Sequence, residues 1–382
     1  MALLLTQCAA CAAPLGLTLG KKCGRCSTRY CGAACQVQHW KEGGHDQLCK
    51  KIKRAGGAEQ YNANNKYAEA VAVAVEKCAD DTKGQTCYIC TQALHLKTKE
   101  GLVRGCSCRG TAGFVHVSCL AEQAKILMDE ALENNLDDKV KTERWGRWYT
   151  CGLCEQRYHG VVACALGWAC WKTYVGRSET DWVRSMAMSQ LGNGLNAAKQ
   201  YEDALTVQEA ELATLRRFGA PEGHMLAVQN NLAISYEQLG KHEQTLRMRQ
   251  DVYFGRLKLL GEEHVETLRA ANNCAFSLND LKRFEEAKAL MRKAMPVARR
   301  DLGESHELTL RMRWGYARAL YENPGATLHD LREAVTTLED ADPIARRVLG
   351  SSNPVAIAIE FFLRQARAAL QAAQRRPVVS SE

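Results

Sequence analysis

The chain has 382 residues, 18 of them cysteine, with a hydrophobic share of 46% and a formal net charge of +8. That length exceeds one typical core and predicts two to four domains. The apolar start Met1-Ala2-Leu3-Leu4-Leu5 is too short for a signal peptide, and no uninterrupted apolar run reaches the roughly 18–20 residues of a membrane helix. A secreted disulfide framework and a membrane partner are thereby disfavoured. The cysteines read as zinc thiolates in a reducing compartment, cytoplasmic with the nucleus also open. Residues 1–56 hold nine Lys/Arg against two Asp/Glu, which invites a nucleic-acid reading. If fourteen cysteines are thiolates on four zinc ions, however, they subtract fourteen charges and the ions add eight, taking +8 to about +2. Nucleic acid then loses its main support as a partner.

The first element is an eight-ligand array over residues 8–49: Cys8-x2-Cys11, Cys23-x2-Cys26, Cys31-x3-Cys35 and His45-x3-Cys49. His39 competes with His45 as a ligand. The helix-like gap from His45 to Cys49, which puts both on one face, favours His45. The spacing, with Tyr30-Cys31-Gly32 and Cys35-Gln36-Val37-Gln38-His39-Trp40, resembles a MYND finger. The resemblance implies interleaved zinc sites, Cys8, Cys11, Cys31 and Cys35 on one ion and Cys23, Cys26, His45 and Cys49 on the other. It also implies capture of short proline-containing peptides by Gln36 and Trp40, while core packing is the plainer role for Trp40.

Residues 50–54 are a short basic run, read as a solvated face. After Gly56-Gly57 a helix is expected over residues 59–81, with Tyr67, Val71, Val75 and Cys78 at helical spacing. A second eight-ligand array then follows: Cys87-x2-Cys90, Cys106-x-Cys108, His116-x2-Cys119 and Cys151-x2-Cys154. Two arrays of eight ligands predict four tetrahedral zinc ions per chain. The single residue between Cys106 and Cys108 and the seven between Cys108 and His116 resemble the RING-CH (RING-variant) finger. A PHD finger normally has a wider third pair and prefers Trp where Tyr149 stands. The 31 residues between Cys119 and Cys151 are long for the family, and residues 121–132 read as a helix inside them.

The RING-CH resemblance implies one zinc on Cys87, Cys90, His116 and Cys119 and another on Cys106, Cys108, Cys151 and Cys154. It further implies docking of a ubiquitin-conjugating enzyme, with Ile89, Trp145 and Trp148 as candidate contacts, and catalysis by positioning a ubiquitin thioester. Gly152 replaces the Pro that many RINGs carry there, and Glu155 replaces a common basic residue. Both features keep a zinc-held scaffold open as the alternative. Residues 161–175, rich in apolar and aromatic side chains, read as a buried connecting helix.

From about residue 178 a repeat of roughly 42 residues appears. The small position Gly192, Ala233, Ala275, Ala317 recurs at steps of 41, 42 and 42. A second-helix position, Ala204, Thr245, Ala287, Ala334, ends on a step of 47, which places a five-residue insertion near Asn323-Pro324-Gly325. The pattern resembles tetratricopeptide (TPR) repeats of the kinesin-light-chain type, each a helical hairpin that buries its apolar face against a neighbour. The resemblance implies a peptide groove gripped by the first-helix pairs Asn230, Asn231 and Asn272, Asn273; helix packing is the competing role. His264 and His306 read as helix caps.

The expected architecture is two small zinc-stabilised cross-brace fingers followed by an all-α TPR superhelix. Its parts are a MYND-type finger (1–56), a helical linker (57–84), a RING-CH-type finger (85–158), an apolar helix (159–177), about four repeats (178–350), and a capping helix and tail (351–382). The expected function is a zinc-dependent E3 ubiquitin ligase or adaptor, with MYND and TPR parts recruiting protein partners. A non-enzymatic scaffold is the alternative, and a methyltransferase is disfavoured because no SET-like segment surrounds residues 8–49.

Overall fold

The computed structural model describes residues 7–13, 15, 20–350 and 353–375. Of the tail expected to be disordered, residues 375–382, all but Arg375 lie outside the described residues, as does Met1-Ala2-Leu3-Leu4-Leu5. The chain divides into two compact units, Met1–Ala220 and Pro221–Glu382.

The first unit opens with a short antiparallel pair, β1 (Lys21–Lys22) and β2 (Arg29–Tyr30), in the register Lys21↔Tyr30 and Lys22↔Arg29. Two helices follow, α1 (Ala33–Lys41) and α2 (His45–Arg54). Their small core is Cys8, Leu15, Cys23, Cys26, Tyr30, Cys49, Ile52 and Ala58, half of it cysteine. So little apolar surface cannot offset the chain entropy of folding, and metal binding must supply the rest.

Helix α3 (Ala58–Thr82) buries Ala63, Tyr67, Val71, Ala74 and Cys78, one face of a 3.6-residue period. The second cysteine segment follows, interrupted by α4 (Val117–Glu133), α5 (Asp138–Trp145) and a 3₁₀ turn at Gly146–Trp148. Next comes α6 (Gly160–Tyr174), buried on nearly every side, as expected of a helix that is apolar all round. Among the described residues no helix is long and apolar enough to cross a membrane. Helix α6 packs against α3, α4 and α7 (Trp182–Ala197), and α7 packs against α8 (Tyr201–Arg217).

The α6–α7 contact is backbone against backbone. A Cβ on Gly194 would lie 2.6 Å from the carbonyl oxygen of Ala163, and one on Gly167 would lie 3.1 Å from that of Gln190. One continuous core therefore runs from Ala63 in α3 through the second cysteine segment to Ala210 in α8. The boundary expected at residue 178 falls inside this unit, because α7 buries Val183, Ala187, Leu191 and Leu195 in that shared core.

The described residues of the second unit form seven helices: α9 (Glu222–Gln238), α10 (His242–Leu260), α11 (Val265–Asp280), α12 (Phe284–Asp301), α13 (Glu307–Tyr321), α14 (Leu328–Leu349) and α15 (Pro354–Gln374). Consecutive helices pack on one another, and Ala275, Ala287, Ala317 and Ala334 are wholly buried where they meet. The imidazole Nδ1 atoms of His264 and His306 accept the Glu266 and Leu308 N–H groups, capping α11 and α13. The inserted residues form the loop before α14, which opens on a Thr327–Asp330 capping box. Arg249 ties α10 to its neighbours: it donates to Glu237 at 2.6 Å, to Ser277 Oγ at 2.6 Å and to the Asn273 carbonyl at 3.0 Å.

Candidate metal centres

The four Cys-x2-Cys pairs adopt one local structure. In each, the residue after the second cysteine donates its N–H to the carbonyl of the first: Ala12 to Cys8 (3.0 Å), Ser27 to Cys23 (2.9 Å), Thr91 to Cys87 (2.8 Å) and Glu155 to Cys151 (3.0 Å). In each, that residue has positive φ, between 56° and 62°. The first cysteine's N–H is bonded two residues beyond the second, at 2.7 to 3.0 Å. The turn aims both sulfurs to one side. Backbone N–H groups of Ile89 and Leu153 point at the Cys87 and Cys151 sulfurs, 3.4 Å away, and offset thiolate charge.

The turns bring ligand atoms together in four groups, each within 4.8 Å: Cys8, Cys11, Cys31, Cys35; Cys23, Cys26, His45, Cys49; Cys87, Cys90, His116, Cys119; and Cys106, Cys108, Cys151, Cys154. Tetrahedral zinc with bonds of about 2.3 Å to sulfur and 2.0–2.1 Å to nitrogen requires S···S edges near 3.8 Å and S···N edges near 3.5 Å. The structure has Cys11–Cys31 at 3.7 Å, Cys23–Cys49 at 3.9 Å and Cys108–Cys151 at 3.8 Å. Cys26 to His45 Nε2 is 3.4 Å, and His116 Nδ1 lies 3.3 Å from Cys90 and 3.6 Å from Cys119. A disulfide needs about 2.05 Å, and all eighteen cysteines are free. The donor sets fit zinc.

Electrostatics point the same way. Burial pushes the Cys8 thiol up, but backbone N–H groups of Cys11, Cys31 and Ala10 outweigh it and bring it down to about 6. Beside it, hydrogen bonding to Cys31 drives Cys35 up to about 12. In the fourth group, donors outweigh burial and lower Cys154 to about 7, while burial raises Cys106 to about 11. Four sulfurs this close cannot all ionise without a cation among them. Burial holds His45 and His116 below the usual histidine range, in the neutral form a metal ligand needs. His116 turns its other nitrogen, Nε2, towards the Ala93 carbonyl at 3.4 Å, an orienting contact typical of ligating histidines. His39 stays outside the groups, with Nδ1 bonded to the Tyr30 hydroxyl at 3.0 Å and its ring stacked on His45.

The last ligand pair lies beyond a long insertion, and the insertion's fold returns it. Helices α4 and α5 pack against each other, with Arg144 of α5 donating to the Leu127 carbonyl and to Glu130 of α4. Glu100 anchors the start of α4, accepting from the Ser118 N–H at 2.6 Å and the Ser118 hydroxyl at 2.8 Å. Nothing in the sequence marks Glu100, which stands sixteen residues before His116. The knuckle N–H groups, by contrast, follow from the Cys-x2-Cys spacing itself.

The candidate binding residues divide by exposure. Ile89 is 37% exposed and Trp40 is 40% exposed, and Gln36 is half-buried on α1 beside exposed Val37. Trp145 and Trp148 are corrected: both are buried, packed on Tyr174 at ring separations of 5.7 and 5.8 Å, and they present no face to a partner. Leu153, in the last knuckle, is 52% exposed instead. Asn272 is also corrected, being buried on the inner face of α11 with Leu268, Ala271 and Ala275. Asn230 and Asn273 bond each other at 3.2 Å across α9 and α11, and Asn231 is half-buried.

Residues 8–49 match the MYND finger model, residues 87–133 the RING-variant domain model and residues 267–307 a tetratricopeptide repeat model. No curated protein matches the chain. Among solved structures, a Podosopora anserina putative kinesin light chain with TPR-like repeats is 20% identical, covering 61% of this chain and 98% of its own, at a TM-score of 0.42. BtubC (BKLC) from P. vanneervenii is 13% identical, covering 70% of this chain and 96% of its own, at a TM-score of 0.37. Segment by segment, the chain carries a MYND-type zinc finger, a RING-variant-type zinc finger and tetratricopeptide-type helical repeats, with cysteine/histidine metal-binding groups in both fingers.

Proposed function

We propose that the protein is a zinc-dependent E3 ubiquitin–protein ligase whose RING-variant finger recruits a charged ubiquitin-conjugating enzyme, while the other parts recruit protein partners. The observation that carries this reading is Ile89. It sits inside the Cys87–Cys90 knuckle, its backbone fixed by the hydrogen bond to Cys87, and its side chain is 37% exposed although apolar. Exposed Leu153 occupies the equivalent place in the Cys151–Cys154 knuckle. Two rigid loops offering apolar tips suit a shallow protein groove, where such anchors dominate affinity. The finger performs no covalent step; it holds the thioester so that an acceptor amine can attack. Zinc in the four groups supplies the rigidity. On the first finger, Trp40 with Gln36 forms the candidate peptide surface, and in the repeats the accessible asparagines are Asn230, Asn231 and Asn273. A scaffold without ligase activity is favoured by one observation: Glu155, directly after the last ligand, takes the place of a basic residue that would contact ubiquitin.

The test is single-turnover discharge of ubiquitin from a panel of conjugating enzymes. Ile89→Ala should lower discharge at least about tenfold at unchanged zinc content and thermal stability, since such an anchor is worth about 2 kcal/mol. Cys106→Ser should lose discharge, zinc and stability together. No acceleration by the wild-type chain with any conjugating enzyme would leave the scaffold reading in place.

A further inference from the structure

We propose that the cavity between α3, α4, α6 and residues 95–98 binds an acidic peptide segment of a partner protein, with a carboxylate seated on the Lys172 ammonium. The cavity holds about 430 Å³ and is lined by Tyr67, His95, Leu96, Ala121, Lys125 and Lys172, among others. That volume lies within the range of ligand sites, about 300–1,000 Å³. Its lining includes Cys90 but not Ile89, Leu153 or Trp40, and it does not depend on the ligase reading.

Lys172 is the unusual residue. It lies near the end of α6, a helix otherwise buried almost all round, and is itself half-buried. Its ammonium sits 4.2 Å from the centroid of the Tyr67 ring. Among the described residues that ammonium makes no ion pair or hydrogen bond, while the Lys172 carbonyl accepts from the Gln60 side-chain amide at 2.9 Å. Burial draws it below the usual lysine range, and Glu100 only partly offsets this. Glu100 is already engaged, accepting from the Ser118 N–H, the Ser118 hydroxyl and, at 3.4 Å, the Tyr67 hydroxyl. A half-buried ammonium without an ion-pair partner carries a desolvation cost that an incoming carboxylate would offset.

Charge and shape specify the occupant. Lys97, Lys125 and Lys172 line the cavity against a single acid, Glu122. Lys125 is paired with Asp129 at 2.7 Å, so Lys97 and Lys172 are the cations left for a ligand. Counting Glu122 and the adjoining zinc group, three thiolates and a histidine on a divalent ion at about −1, those two cations leave the wall without net positive charge, so the unpaired Lys172 ammonium itself selects the carboxylate. The lip bears Leu96, 66% exposed, with Ala121 and Ala169 in the wall. A free small acid would leave that apolar lip in water, whereas a peptide with an apolar residue beside its acid covers it.

The experiment uses the full zinc-loaded chain and a fluorescein-labelled hexapeptide of alternating leucine and glutamate, read by anisotropy. Saturable binding is expected, at least about tenfold weaker for the leucine–glutamine peptide and for Lys172→Met, which keeps the stem over Tyr67 but lacks the charge. Lys139→Met, at an exposed lysine outside the cavity, should bind as wild type, which separates this site from general attraction to surface lysines. In the wild-type chain the bound peptide should protect Lys172 from amine acetylation, read by mass spectrometry, so the result stands even if Lys172→Met folds poorly. Absence of saturable binding, equal binding by Lys172→Met, or unprotected Lys172 would overturn the proposal. So would glutarate competing as effectively as the peptide, because the occupant would then be a free acid.

Discussion

The two compact units bury helices by different means. In Met1–Ala220 the chain is fixed at four metal-ligating groups and at a glycine contact between α6 and α7, and its core joins elements far apart in sequence. In Pro221–Glu382 each helix packs on its neighbours, and the single cysteine, Cys274, is a buried side chain of the core. A metal-fixed fold stands or falls with its ion; a repeat fold is a sum of neighbour contacts. The sharpest way to break this comparison is chelation. Removing zinc should release about four ions per chain and abolish the fold of residues 7–175. The circular dichroism of an isolated 221–382 fragment should not change. Helix loss in that fragment on chelation, or disulfides among the grouped cysteines in non-reducing mass spectra, would break the contrast.

Next in size is the boundary itself. A fragment beginning at residue 221 should be soluble and melt cooperatively. One beginning at residue 178 keeps α7 and α8 but strips α7 of α6, exposing the surface around Gln190, Leu191 and Gly194. That fragment should aggregate or lose cooperativity in its N-terminal part, checked by gel filtration and thermal melting. Equal behaviour of the two fragments would return the boundary to 178.

That boundary shows where the sequence was legible and where it was not. Cysteine spacing is a local signal, so the knuckles at Cys8, Cys23, Cys87 and Cys151 could be read off four-residue windows. The repeat period was equally plain, because buried Ala275 and Ala317 recur at the step that helix packing imposes. But Gly192 and Ala204 carry the same periodic signal as later repeats, and nothing in it reveals that α7 also packs on α6. The aromatic pair misled for a related reason. Trp145 and Trp148 lie in a loop-like stretch before a ligand, where exposure is the default expectation, yet Tyr174 from α6 covers both. Composition does not distinguish an aromatic side chain that meets a partner from one that meets Tyr174, 29 and 26 residues further on.

A glycine pair gives a finer measure of the same difference. Gly194→Ala forces a methyl to within 2.6 Å of a backbone carbonyl, which can retreat only if α6 and α7 separate. Gly315→Ala, in the second unit, meets a Phe276 ring carbon at 2.9 Å, and a side chain can rotate away. The first substitution should cost about 3 kcal/mol and the second about 1 kcal/mol, read from denaturant midpoints of the two transitions. The reverse order would mean that the α6–α7 contact is softer than its geometry indicates.

A last expected effect concerns a buried acid with no counterpart among the described residues of the second unit. Glu211, on α8, is nearly fully buried, and burial raises its carboxyl to about 8; hydroxyl donors Ser189 at 2.7 Å and Ser185 at 3.0 Å limit the rise. Its Oε2 has no partner among the described residues. Unfolded, the same carboxyl titrates at about 4.3. The folded state therefore holds the proton more tightly, and between those two values it binds more protons than the unfolded state. Stability from this group is fully present below the lower value and is lost as pH rises towards the upper one. Glu211→Gln keeps the shape and the serine contacts but cannot ionise. Its stability relative to wild type should increase with pH, by about 2 kcal/mol between pH 6 and pH 8.5, both of which lie above the acid range where thiolates release zinc. Thermal melts of the first unit at the two pH values check this. A difference between variant and wild type that does not change with pH would show that Glu211 is already ionised in the fold, and that α7 and α8 enclose a charge and not a neutral acid.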